Sequence, residues 1–314
     1  MHKKDLLVVG ELNIDLILNQ IKGFPEMGSE KVAEKMDVTL GSSSAIFASN
    51  IATLGIQTSF CGKVGNDDFG QFVCETLKNK QVGTEHISIS KELKTGLTVV
   101  MNYDQDRANV TYCGAMEDLT IEDIPWEKAS EYKHFHLSNY FLQKGIQKDI
   151  TEIFKKAKEA GMSTSLDLQV DPDDVWDFDY KSCLPYVDIF LPNESELLSL
   201  TGKTEIDEAL AELKDYANII ALKMGIKGGL VYQKGDIIKA APYINNQFVD
   251  AIGAGDSFNA GFICKFLQGN TWEECLKFAN LTGALNTTAA GGTGAFDNMD
   301  NLKDRAKKIL KQEI

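Results

Sequence analysis

His134-Phe135-His136-Leu137, Ser163-Thr164-Ser165-Leu166-Asp167, Asp188-Ile189-Phe190-Leu191 and Ile219-Ile220-Ala221-Leu222-Lys223 are four short runs that read as strands. Helical patterns are expected around them, at 146–159, 195–200 and 205–215. Strands that alternate with helices specify a parallel sheet covered on both faces, because a parallel crossover needs a helix's length of chain. The expected fold class is therefore α/β, in three layers, with a mostly parallel central sheet.

Toward the N-terminus, Leu6-Leu7-Val8-Val9-Gly10 is a continuous apolar run, the mark of a parallel strand buried on both faces. A helix is expected over 42–54, closed by Gly55, then a strand at 58–64 and an amphipathic helix at 67–78. Toward the C-terminus, strands at 230–233 and 237–240 flank Lys234-Gly235-Asp236 as a hairpin, and helices come next at 255–267 and 271–288. Strands expected at 14–18, 32–40, 97–103 and 109–113 do not fit the alternation, and the last two flank the turn Asp104-Gln105-Asp106-Arg107. They imply a small separate sheet made by excursions near 12–39 and 95–113. No linker, repeat or low-complexity tract breaks the 314 residues, so one domain over 1–314 is expected.

Composition excludes several classes. Net charge is −14, from 32 basic and 46 acidic residues, which argues against nucleic-acid or anionic-membrane partners. A small phosphorylated ligand stays open, since a few backbone N–H groups and one lysine can hold it. The six cysteines make no C-x-x-C pair and have no histidine at zinc spacing, which suits reduced thiols in the cytoplasm. Lys3-Lys4 before Leu6–Val9 imitates a signal peptide, but the apolar run is short and Glu11, Asn13 and Asp15 break it off. No stretch reaches the roughly 20 apolar residues of a membrane helix.

The strongest chemical signal is Gly253-Ala254-Gly255-Asp256-Ser257-Phe258. Small residues let backbone N–H groups converge, and the helix beginning there aims its positive end at the same point. Phe258, Phe262, Ile263 and Phe266 give that helix a buried stripe. An anion-binding helix start with a carboxylate at its mouth is what phosphoryl transfer requires. Taken alone, Asp256 fits a helix cap equally well. Two decoys fall away. Gly202-Lys203-Thr204 lacks the P-loop's earlier glycine, since Leu197 stands there, and Glu11-Leu12-Asn13 after Gly10 supplies no dinucleotide fingerprint.

Along these landmarks the chain resembles the ribokinase-like (PfkB-type) carbohydrate kinases over nearly its whole length. Gly253-Ala254-Gly255-Asp256 matches the end of that family's C-terminal signature, with Ala251 as a departure. The resemblance implies an ATP- and Mg2+-dependent kinase acting on a small sugar or sugar acid, with Asp256 as base and the backbone of Gly253, Ala254 and Gly255 stabilising the transferring phosphate. It implies that Asn13 and Asp15, in Gly10-Glu11-Leu12-Asn13-Ile14-Asp15, hold sugar hydroxyls. Leu40-Gly41-Ser42-Ser43-Ser44-Ala45 matches the N-terminal glycine signature, placing Gly41 and Ser42 at the sugar; Ile46 replaces a usual sugar-binding Asn, leaving an expected apolar wall.

Asn193-Glu194-Ser195-Glu196 matches an N-x-x-E motif, with Glu196 an indirect magnesium anchor. Lys223, Gly225 and Gly228 would contact the nucleotide, and Ala289-Ala290-Gly291-Gly292 would pack beside adenine. Asp250 and Ile252, with Asn286 and Gly291 nearby, match positions that hold a monovalent cation such as K+ in many members; Asn286 is also placed with the nucleotide contacts. The small sheet becomes a lid over the sugar and a homodimer surface, with Tyr103, Arg107, Tyr112 and Asn139 as further candidates near the substrate. A nucleoside kinase of the same fold would use Tyr103 or Tyr112 as a stacking platform. A non-catalytic sugar or nucleotide sensor is the rival from another class.

Overall fold

The computed structural model describes residues 4–103 and 107–314. Its strands are β1 (Lys4–Val9), β2 (Asn13–Asn19), β3 (Lys35–Leu40), β4 (Thr58–Gly65), β5 (Gly83–Ser90), β6 (Gly96–Asn102), β7 (Arg107–Tyr112), β8 (Tyr132–Ser138), β9 (Ser163–Asp167), β10 (Ile189–Phe190), β11 (Ile220–Lys223), β12 (Gly229–Gln233) and β13 (Asp236–Ala240). The large sheet runs β13-β12-β11-β10-β9-β8-β1-β4-β5. From β11 to β5 the neighbours are all parallel, and β12 and β13 close the other edge as an antiparallel hairpin.

Alternation along β1 explains the layers. Leu6 and Val8 enter one core with Phe47, Phe258, Phe262 and Leu285, from the helices Ser43–Thr53, Ala254–Leu267 and Trp272–Asn286. Leu7 and Val9 enter the other with Phe154, Leu197 and Leu210, from Ile150–Glu159, Glu194–Thr201 and Ile206–Leu213. Each such side chain contributes about 1.5–3 kcal/mol on burial, so a sheet apolar on both faces is held by both helical layers.

The small sheet runs β3-β2-β6-β7, from the excursions expected in sequence. Its two faces differ in chemistry. One cross-strand row is Thr39, Asp15, Thr98 and Thr111; the next, on the opposite face, is Val38, Leu16, Val99 and Val110.

Several boundaries depart from expectation. The strand placed at 32–40 begins at Lys35, and the one at 188–191 shortens to Ile189–Phe190. The helix placed at 146–159 is two, Lys144–Gln147 and Ile150–Glu159. Strand β5 has no counterpart among the sequence expectations: as an edge strand with one neighbour it carries Glu85, His86, Ser88 and Ser90 and lacks an apolar run. The helix Met299–Arg305 is likewise additional. Of the turn read at 104–107, all but Arg107 lies outside the described residues.

Candidate active site

Parallel strands deliver their C-terminal ends to one edge of the sheet, where ligands of α/β folds collect. Here that edge presents Glu11 after β1, Asn139 after β8, Asp167 and Gln169 at the end of β9, Asn193 after β10 and Lys223 ending β11.

Gly253 caps the helix Ala254–Leu267 in the left-handed region, φ 74°, which an L side chain rarely adopts. The N–H groups of Gly255 and Asp256 meet no acceptor among the described residues, as expected of a helix's first turn. Asp256 is buried within that first turn, and its Oδ1 accepts the Gln169 Nε2–H at 3.1 Å. Burial, reinforced by the neighbouring Asp167 carboxylate, holds Asp256 well above the usual carboxylate range.

Lys223 lies alongside. Its Nζ donates to Asp167 Oδ2 at 2.7 Å, and its chain runs past Gly255, where a methyl group would touch it at 3.7 Å. Burial opposes the lysine's charge, but Asp167 and Glu196 beside it raise its pKa overall. Asp167, fully buried, also accepts from Asn259 Nδ2 at 2.5 Å and Gln169 Nε2 at 3.0 Å. Asn193 and Glu196 form a reciprocal capping box at the start of Glu194–Thr201. Burial pushes Glu196 up to about 7, against the pull of Lys223.

Asp250 ties two loops together. Its Oδ1 accepts from Ile252 N and its Oδ2 from Gly291 N, both at 2.9 Å. Asn286 Nδ2 donates to the Ile252 carbonyl at 2.5 Å, while Asn286 Oδ1 is buried with no partner among the described residues.

A cavity of about 200 Å³ lies between these strand ends and the polar face of the small sheet. Asn13, Asp15, Ser42, Asn139 and Arg107 line it, as do Thr98, Asn109 and Thr111, Glu11, Gln169 and Ile252. Asn13 Nδ2 donates to Asp15 Oδ1 at 3.2 Å and Thr98 Oγ1 at 3.0 Å. Burial pushes Asp15 up to about 6, with the Asn13 amide working the other way. Glu11 is buried beneath; its carboxylate accepts from the Ser43 hydroxyl, the Ser44 hydroxyl and the Ser44 N–H. The Ser42 hydroxyl is spent locally, donating to the Glu11 carbonyl at 2.6 Å and capping Ala45 N at 2.9 Å.

Gly41 sits directly on the polar pair. A Cβ there would lie 2.4 Å from Asp15 Oδ1 and 2.7 Å from Asn13 Nδ2. Gly41→Ala is therefore expected to displace both groups and raise the KM for the cavity's ligand by about tenfold or more, equivalent to about 1.4 kcal/mol. Steady-state kinetics check this; an unchanged KM would clear Gly41 of the role.

Two expectations move. Tyr103 does not line this cavity: it stacks on Phe24, centroids 5.8 Å apart, and faces a separate shallow pocket with Asn19 and Lys35. Ile46 makes no apolar wall there either. It is buried against the Cα atoms of Gly253 and Gly292, supporting the anion loop from behind.

A second cavity, about 370 Å³, opens on the other side of the same loop. Lys223, Gly225, Gly228, Ala254 and Gly255 line it together with Tyr243, Ile244, Phe248 and Phe258, which make it largely apolar. Asn193 and Asn286 do not line it, nor does 289–292, which was expected beside the nucleotide. Those residues serve the loop instead, through Gly291 on Asp250 and Gly292 on Ile46. The 243–248 run, Asp167, Gln169 and Glu11 escape sequence reasoning, where only a strand's terminal polar residue hints at Asp167.

Known proteins resemble this chain over nearly its whole length. The pfkB family carbohydrate kinase model matches residues 3–299. A ribokinase of Arabidopsis thaliana is 29% identical, covering 100% of this chain and 83% of that protein. An ATP-dependent ribose-1-phosphate kinase of Halopiger xanaduensis is 28% identical, over 92% of this chain and 94% of that protein. The solved structure of Arabidopsis thaliana ribokinase complexed with ribose and ATP superposes with a TM-score of 0.82 at 26% identity, covering 98% of this chain and 99% of that one. With its α/β fold, its small second sheet and a match spanning 3–299, this chain belongs to the pfkB family of carbohydrate kinases.

Proposed function

We propose that this chain transfers the γ-phosphoryl group of MgATP to a primary hydroxyl of a small, hydroxyl-rich sugar. One observation carries the reading: the Gly253–Asp256 loop stands between two cavities of opposite character. Ala254 and Gly255 line the apolar one, while Asp256 is tied to Gln169 of the polar one. The acceptor hydroxyl gives its proton to Asp256 as its oxygen bonds to the γ-phosphorus, and the bond from that phosphorus to the leaving oxygen of ADP breaks. The free N–H groups of the loop and the helix start stabilise the charge on the transferring phosphate. Lys223 adds a point charge beside them.

Magnesium enters with the nucleotide in this reading. No group of three or more His, Cys, Asp or Glu side chains among the described residues forms a metal cage. That fits a cation that keeps its waters and takes the phosphates as ligands, neutralising their charge when bound. Glu196, oriented by the Asn193 N–H and amide on its two oxygens, would hold the ion's water shell when magnesium is bound. The oxygens of Asp250, Ile252 and Asn286, the last without a partner among the described residues, fit a K+-like cation that would hold the loop from behind.

The lining favours a polyhydroxy sugar over a nucleoside. No aromatic side chain lines the polar cavity among the described residues, and Tyr112, more than half exposed, stands outside it. The sugar-side chemistry is two carboxylates, Glu11 and Asp15, against one guanidinium, Arg107, which favours neutral sugars over sugar acids. The expected result of a coupled ADP-release assay is highest kcat/KM for a neutral pentose or hexose, with sugar phosphates, sugar acids and nucleosides far behind. A nucleoside as best substrate would overturn the assignment.

The segments 12–39 and 95–113 act as a lid on a single kinase domain over 1–314, excluding water from the phosphate. The lid's outer face carries exposed Met36, Val38, Val110 and Tyr112, and a second copy covers it in a homodimer. Val110→Lys is expected to give monomers in sedimentation; a monomeric wild type would contradict the pairing. All six cysteines are free thiols, which suits the cytoplasm, and no helix among the described residues is long and apolar enough to cross a membrane.

A further inference from the structure

We propose that Gln169 is a positioning residue that holds the catalytic carboxylate in line with the acceptor hydroxyl; the inference rests on Asp256 being the base. Gln169 lies just past β9 with φ 60°, in the left-handed region that disfavours a residue bearing Cβ. Ser42 and Asn139, φ 69° and 60°, also have positive φ and line the same polar cavity. Of the nine non-glycine residues with positive φ among the described residues, these three line one cavity, and strain held at a site points to a demand made there.

The side chain shows the use of this strained turn. Gln169 Nε2 stands 3.1 Å from Asp256 Oδ1 and 3.0 Å from Asp167 Oδ2, so its two hydrogens serve two carboxylates. The opposite amide orientation would face an oxygen toward both acids. With Oδ1 engaged, Asp256 Oδ2 receives no hydrogen bond among the described residues and is left for the acceptor hydroxyl.

The charges facing Asp256 show why a neutral donor suits this place. Asp167 from β9, Glu11 after β1 and Glu196 from its helix all oppose ionisation, and Lys223 from β11 alone favours it. An amide adds a donor toward the charged form without adding charge. Position 169 also lines the sugar cavity, so it couples acceptor and base.

Gln169→Gly separates this role from a structural one. Glycine relieves the left-handed backbone, so Tm should hold or rise. Turnover should fall by about 10–100-fold with the KM for ATP unchanged, and the acid limb of the kcat–pH profile should move to higher pH. Gln169→Glu, which adds an acid, should move that limb further the same way. An acid limb unmoved in both variants, with kcat within about twofold of wild type, would overturn the proposal. Asp256→Asn run in parallel separates the two readings: if it turns over normally, the base assignment fails first and takes this proposal with it. If it is dead while the Gln169 variants behave as wild type, only the positioning role fails.

Discussion

Asp256→Asn is expected to lower kcat by about 10^3–10^4-fold, the upper range for removal of a positioned general base. The substitution keeps shape and an oxygen for Gln169 Nε2, so the loop and both cavities should persist. Binding of sugar and nucleotide, measured by calorimetry, should change little. Stability should move the opposite way. The folded-state pKa of Asp256 is raised, so the native protein binds the extra proton and its stability falls as pH climbs from the ordinary aspartate value toward the raised one. The Asn variant carries no such penalty. Without ligands it should melt at or above the wild-type temperature at neutral pH, and the advantage should vanish toward about pH 4. A dead enzyme that is also less stable would indicate a damaged fold; near wild-type turnover would remove Asp256 from the chemistry.

Lys223→Met is expected to be the most destabilising single change in the site. Lys223 pairs with fully buried Asp167, and Glu196 and Asp256 face the same space. Removing one partner of a buried ion pair costs about 3–5 kcal/mol, because the other charge is left unpaired. That is a large part of a typical total of about 5–15 kcal/mol. The raised lysine pKa sets the window: the contribution is full at any pH below the ordinary lysine value and is lost as pH rises through the raised one. Denaturant midpoints at neutral pH measure the loss. The double variant Lys223→Met with Asp167→Asn should recover much of the stability, since no lone carboxylate remains, but not the activity, since the charge beside the phosphates is still missing. A Lys223→Met protein as stable as wild type would show that the pair is not the one holding these strand ends together.

How far the sequence reveals this site depends on which physical signal each residue carries. The strands β1 and β11 are legible because buried parallel strands are apolar runs, whereas β8 and β9, with His134, His136, Ser163, Thr164 and Ser165, are legible from their alternation with helical patterns. The loop at Gly253 is legible because glycines precede a patterned helix. Asn13, Asp15, Asn139 and Arg107 are candidates in sequence and do line one cavity. Glu11, Asp167 and Gln169 are not, since a polar residue at a strand end looks like any turn residue until neighbouring strands bring it beside another. The 243–248 run carries no periodicity, so the apolar cavity it lines is invisible in sequence. Ile46 and Tyr103 fail for the reverse reason: both are placed by position in a motif, whereas packing turns Ile46 onto Gly292 and Tyr103 onto Phe24.

Phosphorus-31 NMR of the wild-type enzyme with MgATP and its best sugar tests the central claim most directly. One new phosphomonoester resonance should grow in step with ADP, with no inorganic phosphate, and it should be absent with Asp256→Asn. ADP accompanied by inorganic phosphate alone, or both ligands bound with neither product formed, would contradict transfer to a sugar hydroxyl.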